Sequence, residues 1–107
     1  MSGIFYETNG HTFRWSERKE IEKPIFHPGL TMRRAARLYC EKSTRRKFYD
    51  WEHSTLFQFR RYALAKLKGH GIIRINYMLD ADMVRLMDAF DANQEDTERY
   101  YTGDEDW

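Results

Sequence analysis

The segment from Ile4 to Trp15 constrains the fold more than any other part of the chain. Asn9-Gly10 at its centre is a preferred pair for a two-residue type I′ turn, because both central positions need positive φ. A two-residue turn sets the register, so Tyr6 lies opposite Phe13 and Ile4 lies opposite Trp15. Since side chains alternate along a strand, these four residues share one face. The sequence therefore predicts an N-terminal β-hairpin that packs this face on the core.

After the hairpin, the spacing of apolar residues mainly predicts helices. Residues 16–23 alternate charge, which indicates a solvated helical turn or a loop, and Pro24 with Pro28-Gly29 then interrupts regular structure. Ile25 and Phe26 are expected to anchor this connection to the core. Beyond it we predict helices over residues 31–42, 44–52 and 54–68, a strand over 71–78 and a last helix over 80–90.

Local signals mark the ends of these elements. Thr31, Ser54 and Asp80 are good N-caps, and Gly69 suits the residue after a helix. Phe48 and Trp51 are expected to point inward. The predicted fold class is α+β, a small single domain with an N-terminal hairpin, two to three central helices, one further strand and a C-terminal helix. Residues 1–95 form this domain, and residues 96–107 are expected to be an acidic, frayed tail.

Charge is strongly segregated along the chain, although the net charge is only +1. Residues 31–74 carry twelve Lys and Arg against three acids, whereas residues 80–107 carry ten acids against two Arg. A basic body with an acidic end attracts polyanions at one place and repels them at another.

The arginines of the first predicted helix are the best candidate site. Guanidinium groups match phosphate and carboxylate oxygens with two hydrogen bonds, and Arg dominates over Lys in this cluster. We therefore predict a small, non-enzymatic binding protein whose basic helical face docks a polyanion, with DNA or RNA favoured. About four to six phosphate contacts imply a log–log salt slope near −4 to −5 on duplex DNA. The predicted contact residues are Arg33, Arg34, Arg37, Arg45, Arg46, Lys47, Arg60, Arg61 and Lys68.

Aromatic and basic residues also alternate in the stretches 46–51 and 57–62. Such alternation is typical of single-strand binding, in which rings stack on bases and cations follow the backbone, but a small domain also needs these rings for its core. If the rings bind bases, Tyr49 and Tyr62 are the expected exposed candidates. Arg60 falls within the apolar arc of the third predicted helix, where it either reaches past its neighbours or pairs with an acid.

The main alternative is a protein-binding accessory or inhibitor module, of the kind that mobile elements and viruses use. Its basic and acidic surfaces would then dock a larger partner, which itself could process nucleic acid. The acidic tail could also fold back on the arginine face, bind a basic partner or only solubilise the chain. The oligomeric state stays open.

Signals for catalysis are weak. Gly69-His70-Gly71 precedes a strand rather than a helix, so it does not fit a phosphate-binding loop, and the four His are widely spaced. We therefore predict no catalytic residues, no metal site and no cofactor. Cys40 is the single cysteine, no secretory signal stands at the N-terminus, and no 18-residue apolar run occurs. These features predict a soluble, cytoplasmic protein without a membrane partner.

Overall fold

The computed structural model describes residues 3–26 and 28–103, except for the side chain of Phe26. Its N-terminal hairpin has the predicted register: β1 (Gly3–Thr8) and β2 (His11–Ser16) pair with Ile4 opposite Trp15 and Tyr6 opposite Phe13. Asn9 and Gly10 both have positive φ, 49° and 78°. This register confirms the hairpin prediction. It was predictable because a two-residue turn sets which residues face each other.

The hairpin forms one end of a mixed six-stranded sheet. The other strands are β3 (Arg45–Tyr49), β4 (Arg61–Leu67), β5 (Gly71–Asp80) and β6 (Met83–Asp91). The strand order in the sheet is β1-β2-β6-β5-β4-β3. Neighbouring strands are antiparallel except β2 and β6, which are parallel over three residue pairs. The described residues therefore form one α+β domain, as predicted at that coarse level.

Helices cover the two faces of the sheet unequally. The helices α1 (Glu17–Phe26) and α2 (Met32–Cys40) lie on one face, which we call the α2 face, and α3 (Gln94–Thr102) packs on the other over β4 and β5. The larger core lies beneath α2, where four alanines without exposed surface allow close approach of helix and sheet: Ala35, Ala36, Ala63 and Ala65. A smaller core with Phe48, Tyr62 and Tyr100 lies beneath α3.

The predicted helices over 44–52 and 54–68 are wrong. The first stretch contains β3 and one turn of 3₁₀ helix (Trp51–His53), and Trp51 is exposed rather than inward. The second contains a loop followed by β4. In β4, alternate residues enter the two cores, so this strand is buried on both faces. A strand of this kind gives a continuous apolar run, which periodicity cannot distinguish from a helix.

The predicted helix over 80–90 is also wrong, since Ala81 and Asp82 instead form a tight turn into β6. Ala81 has a φ of 55°, and Asp80 pairs with Met83 across the turn. A bulge next to Tyr77 adds one residue to β6, which shifts its alternation midway and produces a helix-like spacing.

Two other expectations need correction. α1 continues through Pro24 to its end, and Ile25 is exposed instead of anchored in the core. Residues 94–102 form α3, capped by the Asn93 side chain, with Tyr100 buried, so residues 96–102 of the predicted tail are not frayed. Residues 104–107 lie outside the described part of the chain.

Lys23 of α1 contacts β6 beyond the three residues that pair with β2. Its buried ammonium group donates hydrogen bonds of 2.5 Å to a carboxylate oxygen of Asp88 and 2.5 Å to the Ala89 carbonyl oxygen. Burial opposes ionisation of Asp88, but hydrogen bonds from Lys23, the Ala89 amide and Lys19 outweigh it, so the pKa of Asp88 lies below its ordinary value.

Asp88→Asn is expected to lower the free energy of unfolding at pH 7 by about 1.5 kcal/mol, because it weakens a charge-assisted hydrogen bond to a buried lysine. Since the folded pKa of Asp88 is depressed, its contribution is present above the unfolded pKa of about 3.9 and is lost as pH falls through the folded value. Urea titrations at pH 7 and pH 3 should therefore show the difference from wild type shrinking in acid. Asp82→Asn, at an exposed turn residue, should change stability little at either pH. An equal cost for Asp88→Asn at both pH values would contradict the assignment.

Candidate nucleic-acid interface

The basic surface of α2 results from its capping and its amphipathic pattern. The Thr31 hydroxyl accepts the Arg34 backbone N–H at 3.1 Å and so begins the helix as predicted. The apolar side of α2 is buried on the sheet, and Arg33, Arg34 and Arg37 are left on its exposed side.

A groove of about 980 Å³ runs between α2 and the turn from β4 to β5. We call it the basic groove. Its lining residues include four cations, Arg34, Arg37, Lys66 and Lys68, against one acid, Glu41; the remaining lining residues are Gly29, Thr31, Leu38, Thr44, Leu67 and Gly69. Positive charge inside a concave surface focuses the electrostatic potential, which favours an anionic ligand.

The cations of the basic groove form no ion pair with an acid of the described residues. Arg34 donates to the Gly29 carbonyl oxygen at 3.0 Å, which orients its guanidinium group without using a carboxylate. No ion pair within residues 3–26 and 28–103 involves Arg34, Arg37, Lys66 or Lys68. Glu41 instead accepts a hydrogen bond of 3.3 Å from the Thr44 hydroxyl.

Arg33 points away from the basic groove, although it neighbours Arg34 in sequence. Its guanidinium group forms a 2.7 Å ion pair with Glu20 of α1. The same group lies 5.7 Å from the ring centroid of Tyr6 and 5.9 Å from that of Trp15. Arg33 therefore joins α1 and α2 to the hairpin, and the predicted arginine cluster is divided in two.

The run Arg45-Arg46-Lys47 does not extend one surface either, because it lies on a strand whose side chains alternate. Arg45 is buried and donates to the Tyr39 carbonyl oxygen at 2.6 Å. Arg46 lies on the opposite face, 5.4 Å from the ring centroid of Tyr100. Lys47 shares the α2 face with Arg45 and is half-buried.

The last two predicted contact residues also separate. Arg60 lines a cavity of about 300 Å³ together with Asp50, Arg74 and Asp96. Arg61 lies on the α2 face with its guanidinium group 4.6 Å from the ring centroid of Tyr49. Of the nine predicted contact residues, the basic groove therefore contains three, Arg34, Arg37 and Lys68. Lys66 was not predicted as a contact residue, because residues 54–68 were assigned to a helix and not to a strand that ends near α2.

Sequence reasoning also missed a buried ionic network on the α3 side of the sheet. Arg74 donates to Asp96 at 2.9 Å and to Asp50 at 3.4 Å, and its guanidinium group lies 3.9 Å from the Tyr62 ring centroid. Asp50 also accepts a 3.0 Å hydrogen bond from the His53 ring. The charge segregation could have suggested such pairs, since acids of the C-terminal part must meet cations of the middle.

Burial favours the neutral form of the half-buried Cys40 thiol and of three tyrosine hydroxyls. Burial raises the pKa of the Cys40 thiol above its ordinary value, although the charge of Arg45 opposes the rise. Burial likewise raises the pKa of Tyr39, Tyr62 and Tyr77. Cys40 therefore lacks the lowered pKa that activates a nucleophilic cysteine.

The exposed aromatic residues differ from those expected. Tyr62 is buried and stacks on Phe48 with ring centroids 5.2 Å apart, so it cannot contact a base. Tyr49 is half-buried, whereas Trp51, Phe57 and Phe59 are exposed.

The described residues contain neither a metal-ligand cluster nor a membrane-spanning helix. No group of three or more His, Cys, Asp and Glu side chains there is arranged to hold a metal ion. No helix there has the length and the apolar content required to cross a membrane. Comparisons with protein-family models, with curated proteins and with solved structures found no match to this chain.

Proposed function

We propose that this chain is a small, non-enzymatic protein that binds DNA or RNA, with the phosphate backbone in the basic groove. The observation that supports this most is that four cations from α2, the end of β4 and the β4–β5 turn line one concave surface with Glu41 as its single acid, and that none of them forms an ion pair within the described residues. Holding like charges together costs folding free energy, and a bound anion relieves that cost.

The chemistry of the cations fits phosphodiester groups. Arg34 and Arg37 are one turn of helix apart, and guanidinium groups bind phosphate oxygens with two parallel hydrogen bonds. Lys66 and Lys68 also line the groove, although strand alternation directs the Lys66 side chain to the same face as Tyr62 and Leu64. Arg45, buried next to the groove residue Thr44 in the chain, adds positive potential at this end of β3.

The number of cations predicts the salt dependence of binding. Neutralising four phosphates gives a log–log slope of affinity against salt near −3.6 for duplex DNA and near −2.8 for a single strand. Fluorescence anisotropy with labelled oligonucleotides between 50 and 200 mM salt measures this slope.

Reversal of two groove charges tests the site itself. Arg34→Glu with Arg37→Glu should weaken binding at least tenfold and reduce the slope by about two, because each lost phosphate contact reduces it by about one. Arg37→Glu and Arg18→Glu form a matched pair with the same change in net charge, since Arg18 lies on α1 and outside the groove. Equal effects of these two single variants, or no binding at 50 mM salt, would refute the proposal.

A protein-binding accessory or inhibitor module is the second candidate. The exposed apolar residues between Trp51 and Phe59 favour it, because exposed Trp and Phe side chains are typical anchors at protein interfaces. Capture of one protein partner after nuclease treatment, together with no binding to free DNA or RNA, is the result expected for this candidate alone.

A further inference from the structure

The loop between β3 and β4 holds its shape without burying its large side chains. The Asp50 amide donates to the Arg60 carbonyl oxygen at 2.9 Å and closes the base of the loop. The Ser54 hydroxyl donates to the Asp50 carbonyl oxygen at 2.7 Å and accepts from the Arg60 amide at 2.9 Å. Near the tip, the Thr55 amide donates to the Gln58 carbonyl oxygen at 2.8 Å. Residues 51–59, which we call the aromatic loop, are thus held by backbone hydrogen bonds and by the Ser54 hydroxyl.

The large side chains of the aromatic loop face solvent. The exposed fractions are 67% for Trp51, 94% for Phe57 and 56% for Phe59. Leu56, beside Phe57 at the tip, is 89% exposed. A loop that is already ordered loses less conformational entropy when a ligand binds, so its exposed aromatic rings are suited to recognition.

These rings border a second groove, of about 740 Å³, at the far end of β3 from the basic groove. The lining includes Tyr49 and Trp51, whose ring centroids are 5.0 Å apart, and the cations Arg61 and Arg85 against Asp80. Planar rings next to guanidinium groups are the combination that binds single-stranded nucleic acid, since rings stack on bases while cations meet phosphates.

β3 joins the two grooves on the α2 face of the sheet. Thr44, just before β3, lines the basic groove, and Tyr49 at its end lines the aromatic one. Five residues of extended chain place them about 17 Å apart. Lys47 lies between them on that face, because it pairs with Ala63, which is buried in the α2 core. One strand of nucleic acid can therefore run along β3 and contact both grooves.

We propose that the aromatic loop is a base-stacking platform for single-stranded nucleic acid, with unpaired bases on Trp51, Phe57 and Phe59. This inference rests on the proposed function of the basic groove, which would hold the backbone of the same strand. Bases in a duplex are stacked inside the helix and cannot reach these rings. The platform therefore makes this protein prefer single strands, with little dependence on sequence, because every base has a π face.

The test compares an oligothymidylate of about 12 nucleotides with an abasic oligomer of equal length and charge and with a duplex of the same length. The wild-type chain should bind the oligothymidylate at least about fivefold more tightly than the abasic oligomer, since each stacked base contributes that much or more. Trp51→Leu and Phe57→Leu keep an apolar side chain but remove the planar ring, so each should reduce this ratio. Leu56→Ala, at an equally exposed neighbour that cannot stack, should leave the ratio unchanged.

Each other outcome refutes the platform in a different way. Equal affinity for the abasic oligomer and the oligothymidylate, with binding still lost in Arg34→Glu/Arg37→Glu, would refute the stacking platform and support the basic groove. A loss in Leu56→Ala as large as that in Phe57→Leu indicates a general apolar docking surface for protein. If the protein binds none of the three probes, both proposals are refuted. All of these substitutions lie at exposed positions, and circular dichroism checks that each variant is folded.

Discussion

Arg74→Met is expected to lower the free energy of unfolding by about 3 kcal/mol, the cost of breaking a buried ionic network from one side. The Arg74 side chain is 17% exposed and holds Asp96 at 2.9 Å and Asp50 at 3.4 Å. A third hydrogen bond, 2.8 Å long, joins it to Asn76. Removing the guanidinium group leaves two buried carboxylates without their cation.

The reason for this cost can be checked with further variants. Adding Asp50→Asn and Asp96→Asn to Arg74→Met removes the stranded charges as well, so the triple variant should recover part of the loss. Arg85→Met, an exposed arginine on the neighbouring strand, should change stability by less than about 0.5 kcal/mol. Urea denaturation at pH 7 measures all of them. A triple variant less stable than Arg74→Met would show that the carboxylates stabilise the fold without Arg74.

The elements that sequence predicts correctly are those with local determinants. The Asn9-Gly10 turn sets the hairpin register within a few residues, and the Thr31 cap with its following apolar stripe begins α2. The strand predicted over 71–78 is present as β5, with two further residues. For the hairpin and α2, the deciding interactions lie within one hairpin or one helical turn.

The misassigned elements depend on distant partners. β4 is central in its half of the sheet, so Ala63 faces α2 while Leu64 faces the α3 core. Both faces are apolar, and only the pairing with β3 and β5 distinguishes this strand from a helix. β6 carries a bulge whose position depends on β5. Neither feature can be derived from the residues of the strand alone.

The same limitation determines how much of the site could be predicted. Arg34 and Arg37 were found because helical spacing within α2 is a local property. Arg45 and Arg46 were grouped with them, yet strand alternation directs one beneath α2 and the other toward α3. Lys66 belongs to the basic groove through the sheet pairing of β4. The segregation of charge along the chain predicted a basic surface, but it did not show which cations lie together on it.

The acidic C-terminal part also has a structural role. Asp96 of α3 is buried against Arg74, and Arg99 donates to the Tyr62 hydroxyl. These contacts place α3 on the face opposite α2. In the described residues, Asp96 of α3 pairs with Arg74 of the sheet and Glu95 pairs with Arg99 of α3 itself, and no acid of α3 pairs with a cation of the basic groove.

Tyr100→Ala is expected to lower the free energy of unfolding by about 3 kcal/mol, because it empties the centre of the core beneath α3. The Tyr100 ring packs with Phe48, Tyr62 and other apolar residues, and its hydroxyl donates to the Thr44 carbonyl oxygen at 2.8 Å. The adjacent Tyr101 is 64% exposed, so Tyr101→Ala is a matched control that should cost less than about 0.5 kcal/mol.

Tyr100→Phe separates the two contributions of this residue. It keeps the ring and loses only the hydrogen bond to Thr44, so about 1 kcal/mol of destabilisation is expected. Because Thr44 lines the basic groove, the same variant also tests whether α3 supports the nucleic-acid site from the opposite face. Equal stability of the Tyr100→Ala and Tyr101→Ala variants would mean that residues 94–102 contribute no packing energy, and α3 would then behave as the frayed tail that its composition predicts.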